Sequence, residues 1–274
     1  MAYQWTKTDA AAPERVLLIG LDCGDYDAEA SMAELERLTD TAGGLVVGHT
    51  VQKRPAPEGA TYIGSGLVES LAEFCRQNEV DLTVADGSLT PVQARNLERA
   101  LGTAVIDRTA LILDIFAMRA RSHEGMLQVE EAQLNYLLPR LVGQGIMLSR
   151  QGGGIGSKGP GETKLETDRR YIRTRIENID KALKKVEKTR ENIRQKRSKS
   201  GIFRIGLIGY TNAGKSSIMN ALVGLDKEQY EQNELFATLD ATTKAVKLVE
   251  DFTVSLTDTV GFIQNLPTEL IKAF

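Results

Sequence analysis

Residues 203–217 read FRIGLIGYTNAGKSS, an apolar run that ends in glycine and runs into a polar loop and then a helical pattern. Its centre, Gly209-Tyr210-Thr211-Asn212-Ala213-Gly214-Lys215-Ser216, fits G-x-x-x-x-G-K-[ST]. The match lies between a strand pattern and the helical stretch SSIMNALVG (216–224), where a phosphate-binding loop has to lie. The glycines let main-chain N–H groups turn toward phosphate oxygens, and the following helix presents its positive end to them. Lys215 is expected to reach the β- and γ-phosphates, the Ser216 hydroxyl to ligate Mg2+, and Ser217 to complete the rim. This stretch predicts a P-loop nucleoside-triphosphate domain built on a parallel sheet.

Further along, KAVKLVE (244–250) and FTVSLTD (252–258) read as two more strands. The second closes on Asp258-Thr259-Val260-Gly261, some forty residues beyond the loop, where such domains place the aspartate that holds Mg2+ directly or through water. The Gly261 N–H is expected at the γ-phosphate. Between them, Phe236-Ala237-Thr238-Leu239-Asp240-Ala241-Thr242-Thr243 reads as switch I, whose threonine completes the Mg2+ shell. Thr238 is the choice, although the residues alone do not separate it from Thr242 or Thr243. Phe262 stands where Ras-type enzymes carry the glutamine that orients the attacking water, and a phenyl ring cannot hydrogen-bond water.

Upstream, apolar runs alternate with helical patterns. VLLIGLD (16–22), LVVGHTV (45–51), DLTVAD (81–86) and AVID (104–107) read as strands. Helices are expected near 28–41, 67–77 and, opened by Pro91, to Leu101. That alternation argues for a small parallel sheet with crossovers. From Thr109 onward the pattern becomes long helix. Leu127, Leu134, Leu138 and Leu141 form one apolar stripe, and Leu165, Ile172, Ile176, Ile179, Leu183, Val186 and Ile193 form another. Between them lies QGGGIGSKGPGET (151–163), so an antiparallel helical hairpin with a flexible tip is expected. The whole predicts an α/β chain: a tail (1–14), a small parallel-sheet N-terminal domain (15–108), a long helical hairpin (109–200) and a partial P-loop G domain (201–274).

The net charge of −3 conceals a division. Residues 149–200 hold 16 Lys/Arg against 7 Asp/Glu, a net +9, and the remainder is −12. A basic block on an acidic chain points to a polyanionic partner met by one part only, or to a solvated charged helix face. With its positive charges Arg150, Lys158 and Lys164, the tip fits a probe in a nucleic-acid crevice or a plain linker, and composition does not separate these. No run approaches the roughly 18 apolar residues of a membrane span, and no secretory leader is visible. Cys23 and Cys75 read as small apolar residues suited to a reducing cytoplasm.

Four stretches carry a resemblance: VIDRTALILDIFAMRARSHEG (105–125), LQVEEAQLNYLLPRLVG (127–143), LSRQGGGIGSKGPGETKLETDRR (148–170) and GYTNAGKSSIMNAL (209–222). Through them the chain resembles the HflX-type ribosome-associated GTPases of the Obg-related branch, over essentially its whole length. The resemblance implies GTP and GDP as ligands, Mg2+ as cofactor, and the large (50S) ribosomal subunit with its rRNA as partner. It also implies GTP-dependent ribosome splitting by a cytoplasmic protein, expected as a monomer. In the family's F-x-T-L pattern the key threonine falls on Thr238. The tip is implied to reach rRNA, with Arg150, Gly152, Gly153, Gly154, Lys158, Lys164, Arg169 and Arg170 as the contact residues. Asn212 matches an asparagine that related GTPases use beside a potassium ion; its alternative is a turn residue.

There are departures. Leu67 follows the G-x-G of YIGSGL where relatives often carry lysine, and Ala241 stands where proline is common. The guanine-reading N-K-x-D motif does not occur, so a G domain interrupted part-way is expected, with weak phosphate binding and no guanine specificity. One alternative function is an rRNA-binding module that works without turnover. Another, a P-loop kinase or ATPase, gains nothing from the T-L-D and DTVG pairing. With Phe262 in place of glutamine, turnover by the isolated full-length protein is expected to be slow and accelerated by its partner. A fast rate indifferent to any partner, in a phosphate-release assay, contradicts this.

Overall fold

The computed structural model describes residues 12–150, 160–198, 203–223, 236, 242–249 and 252–263. The chain divides into two compact units, Met1–Ile115 with Gln133–Arg173, and Phe116–Ala132 with Thr174–Phe274.

In the first unit, β1 (Arg15–Asp22), β2 (Leu45–Lys53), β3 (Leu82–Ala85) and β4 (Ala104–Asp107) form a parallel sheet in the order β2-β1-β3-β4. β1 is the longest apolar run and takes a central place, with Val16, Leu18 and Ile19 wholly buried. A strand covered on both faces has to be apolar without alternation. The crossovers are α1 (Ala28–Ala42), α2 (Ser65–Gln77) and α3 (Pro91–Leu101). Their ends follow from local chemistry. Asp27 Oδ1 accepts from Ala30 N at the start of α1, and Gly43 ends it at φ 91°. Thr90 and Gln93 form a reciprocal capping box before α3, with Pro91 at its first turn. Leu67 lies in the first turn of α2 and packs against the core, so an apolar side chain there has a structural role.

The long helix expected from Thr109 is two helices, α4 (Arg108–Arg119) and α5 (His123–Arg150), broken at 120–122. α4 opens apolar on most faces: Leu111, Ile112, Ile115 and Phe116 are fully buried. Ala117 and Met118 on its last turn are exposed, so α4 has one buried side and an open one. The second correction concerns the tip. α6 (Pro160–Ser198) begins inside it, so 160–163 are helical, because proline is preorganised for a helix's first position. Within the second unit, Arg175 meets Glu130 through two bonds of 2.6 and 2.7 Å, and Arg190 meets Glu124. Higher residues of α6 thus pair with lower residues of α5, which makes the two antiparallel. Of the predicted α6 stripe, Ile172 and Ile179 are buried, while Ile176, Leu183 and Val186 are half-buried.

Two buried charges organise the end of β4. Asp107 is 1% exposed, and each carboxylate oxygen accepts two bonds. Oδ1 takes Ala110 N (3.0 Å) and Tyr136 Oη (2.8 Å); Oδ2 takes Leu89 N (3.0 Å) and Arg140 Nη2 (2.9 Å). Arg108, equally buried, donates to Asp86 Oδ1 at 2.6 Å and Ser31 Oγ at 3.1 Å, and pairs with Glu34. Removing one partner of such a buried pair typically costs about 3–5 kcal/mol, since the other charge is left in low dielectric.

Asp114, half-buried on α4, receives a long bond from Gln133 Nε2 (3.4 Å), and burial pushes its carboxyl up to about 7. The folded protein therefore keeps a proton that the unfolded chain releases near pH ~3.9. This contribution to stability is full below that value and is lost as pH rises through about 7. Asp114→Asn is expected to flatten the decline; urea melts at pH 5 and pH 8 measure it.

Candidate functional site

The site is built in the second unit by β5 (Phe203–Leu207), β7 (Phe252–Asp258), β6 (Thr242–Val249) and α7 (Lys215–Val223). The sheet order is β5-β7-β6, with β5 parallel and β6 antiparallel to β7. The register sets Leu207 beside Asp258, so the two strands end level. Thr259 Oγ1 ties those ends together by donating to Leu207 O at 2.6 Å. Met219 of α7 buries against Val246, Val254 and Leu256 and holds the helix on the sheet. β5 is an edge among the described strands, with Phe203 67% and Ile205 39% exposed.

Past β5 the loop and the DTVG turn are joined by an isolated parallel bridge, Tyr210 to Phe262. Phe262 N donates to Gly209 O (3.0 Å), and Thr211 N donates to Phe262 O (2.8 Å). The crossing leaves no room for a side chain at Gly261: a Cβ there would lie 2.5 Å from Thr211 Cα and 2.6 Å from Thr211 N. Glycine is required here by space, not by an unusual φ. Asn212 and Gly214 do adopt the left-handed region, at φ 58° and 79°. Asparagine is one of the few residues that tolerates it, so the turn accounts for Asn212 locally.

Lys215 Nζ donates back to Tyr210 O at 2.6 Å. Partial burial lowers its pKa, and the nearby Asp258 carboxylate opposes that shift. Ser216 Oγ donates to Asp258 Oδ2 at 2.6 Å, and Asp258 is 2% exposed. A buried carboxylate facing a hydroxyl is a hard-oxygen pair of the kind Mg2+ selects. Gly209, Tyr210, Thr211, Asn212, Ala213, Gly214, Lys215, Ser216 and Ser217 thus run continuously from β5 into α7, with Asp258, Thr259, Val260 and Gly261 alongside.

Other predicted positions fall elsewhere. Phe236 is buried, while Ala237, Thr238 and Leu239 lie outside the described residues. Of the alternatives to Thr238, Thr242 is the register partner of Asp258, and Thr243 Oγ1 lies 3.0 Å from Thr257 Oγ1 on the sheet. Arg150 ends α5, Lys164 lies in α6, Arg169 is half-buried there and Arg170 is exposed. Gly152, Gly153, Gly154 and Lys158 lie outside the described residues. The motif reading placed Thr259 in the site but missed its tie to Leu207 and the main chain of Phe262. Thr259 has a legible signal, a hydroxyl directly after the strand-ending aspartate; a main-chain bridge has none.

Family models match three consecutive stretches: a GTP-binding GTPase N-terminal region over 29–117, a GTP-binding GTPase middle region over 119–197, and a 50S ribosome-binding GTPase over 204–274. The chain is 52% identical over 263 residues to GTPase HflX of Alkalihalophilus pseudofirmus, covering 95% of this chain and 62% of that protein. It is 46% identical to GTPase HflX of Escherichia coli K12, covering 91% and 58%. The chain belongs to the HflX-type GTPases. It spans about three fifths of the length of these HflX relatives. A solved structure titled as an SsGBP and GDP complex superposes with a TM-score of 0.51 at 25% identity, covering 95% of this chain and 66% of that one. Family and loop geometry together support GTP binding. No helix among the described residues is long and apolar enough to cross a membrane.

Gly261→Ala is expected to force the crossing apart and break both bonds of the Tyr210–Phe262 bridge. Affinity for a fluorescent triphosphate should fall at least tenfold, about 1.4 kcal/mol. The melting of the α/β unit should stay unchanged.

Proposed function

We propose that this chain is the nucleotide-sensing and RNA-engaging part of a GTPase that acts on the large ribosomal subunit. Occupancy of the 209–216 loop governs how the helical arm meets rRNA. The observation that carries the reading is the Ser216–Asp258 pair at 2.6 Å, set at the mouth of a P-loop closed by the DTVG turn. In this reading the loop amides and Lys215 bind the phosphates, while Ser216, Asp258 and Thr238 would hold Mg2+. The ion, when bound, neutralises charge on the β- and γ-phosphates. GTP is hydrolysed by the parent protein, and GDP is retained as product.

Water activation falls to groups other than Phe262. Its ring offers no hydrogen bond, and its N–H and C=O are both engaged with the loop. A partner's side chain is the natural source of the missing group, which fits slow turnover in isolation. Asn212 with K+ is a further candidate device, tested by comparing turnover in potassium and sodium salts.

The proposed division of labour assigns the α/β domain to 15–108, the arm to 109–200 and nucleotide chemistry to 201–274. Arg150, Lys164, Arg169 and Arg170, with Gly152–Gly154 and Lys158 of the tip, are the proposed rRNA contacts. The matched model's description as a 50S ribosome-binding GTPase supports the partner. The work is placed in the cytoplasm, by a monomer. Ribosome dissociation is the proposed outcome of the cycle.

Pelleting with purified 50S subunits is expected to depend on nucleotide: strongest with a non-hydrolysable GTP analogue, weaker with GDP and without nucleotide. Affinity should fall steeply with salt, as phosphate contacts demand. Binding indifferent to nucleotide would favour the second reading, an rRNA-binding module that works without turnover. Lys215→Ala in the full-length protein should remove both nucleotide affinity and the nucleotide dependence of subunit binding.

A further inference from the structure

Thr259 directly follows the strand-ending aspartate, and its hydroxyl is committed to a different strand. Oγ1 donates to Leu207 O at 2.6 Å, a bond between residues 52 positions apart in the chain. Leu207 and Asp258 are the last register pair of β5 and β7, so the bond sits just beyond the final rung of the ladder. A separate tie, the bridge between Tyr210 and Phe262, lies further along both segments. All of these residues belong to the second unit.

Both members of the hard-oxygen pair leave from this junction. Asp258 is the neighbour of Thr259, and the loop that starts beyond Leu207 delivers Ser216, whose Oγ donates to Asp258 Oδ2 at 2.6 Å. Asp258 is 2% exposed, so the place of its carboxylate follows closely from the place of its main chain. Threonine suits such a tie, because a β-branched side chain is stiff at its first torsion and passes the constraint to the backbone. Mg2+ demands near-octahedral oxygens at about 2.0–2.1 Å, so a small displacement of one ligand is costly. The phosphate loop itself is held by another device, the crossing at Gly261.

We propose that Thr259 is a positioning residue for Mg2+: its hydroxyl holds the end of β7 against the end of β5 and so sets the Asp258 carboxylate at the Ser216 hydroxyl. This rests on reading Ser216 and Asp258 as the Mg2+ pair. Thr259 acts on the ion's ligand rather than on the ion. Groups that orient a metal ligand from behind typically change metal affinity roughly 10–100-fold when they are removed. The Thr259 side chain therefore belongs to the Mg2+-dependent part of nucleotide affinity, and the crossing at Gly261 to the part that the loop amides supply.

Affinity of the full-length protein for a fluorescent, non-hydrolysable GTP analogue is measured with Mg2+ and again with EDTA, and the ratio of the two is the readout. Thr259→Val, which keeps the shape and loses the hydroxyl, is expected to lower that ratio about tenfold. Thr259→Ser, which keeps the hydroxyl, should retain most of it. Thr259→Ala should show the same loss as Thr259→Val, and it decides the matter alone if Thr259→Val fails to fold. Asp258→Asn is the control for the underlying assignment: if it leaves the ratio unchanged, the Mg2+ reading of Asp258 is lost and this proposal with it. If Asp258→Asn lowers the ratio but loss of the Thr259 hydroxyl does not, the positioning role alone is overturned. Affinity lost equally with Mg2+ and with EDTA marks Thr259 as a general clamp on the sheet and also overturns it.

Discussion

Two backbone segments, 209–211 and 261–262, cross so closely that no Cβ fits between them at Gly261. The geometry of the candidate site depends on that crossing. It fixes the phosphate loop to the end of β7, and so sets the helix-borne Ser216 hydroxyl against the strand-borne Asp258 carboxylate. It also consumes both main-chain groups of Phe262. Loop rigidity and the lack of a water-orienting group at Phe262 thus share one cause. A preorganised loop does not have to be ordered at the moment of binding, a cost that a floppy glycine-rich segment would incur.

The α/β unit solves a different problem, the docking of helices on a sheet whose central strand is apolar throughout. The helices bring charge with them, and the fold concentrates it at Asp107 and Arg108. Asp107 has four donors, which fill both of its oxygens. Tyr136 and Arg140 both come from α5, and the Arg140 guanidinium also lies 3.4 Å over the Tyr136 ring. A network satisfied in this way is specific as well as stable, because a shifted α5 would strand a buried carboxylate.

Much of the local structure was legible from residue order. All four strands of the first sheet fall within a residue or two of their apolar runs, and the caps at Asp27, Thr90 and Gly43 stand where propensity puts them. The long helical stretch was harder. Leu111, Ile112 and Leu113 continue a helical pattern without a break, and nothing local marks the interruption at 120–122. It falls just after the buried residues Leu111, Ile112, Ile115 and Phe116 give way to exposed Ala117 and Met118. Pro160 lies inside the predicted tip, yet its fixed φ suits the first position of α6.

By itself, residue order determined the phosphate loop, its strand–loop–helix setting, the Asp258 partner and the family. Each of these is a short-range pattern whose chemistry demands particular residue types at particular spacings. What the tertiary structure alone decided lies between residues far apart in the chain. Gly261 against Thr211, Tyr136 and Arg140 on Asp107, and Phe116 under Phe236 are contacts across 20 or more positions. No periodicity encodes them, because each is set by where two independently formed elements come to rest against each other.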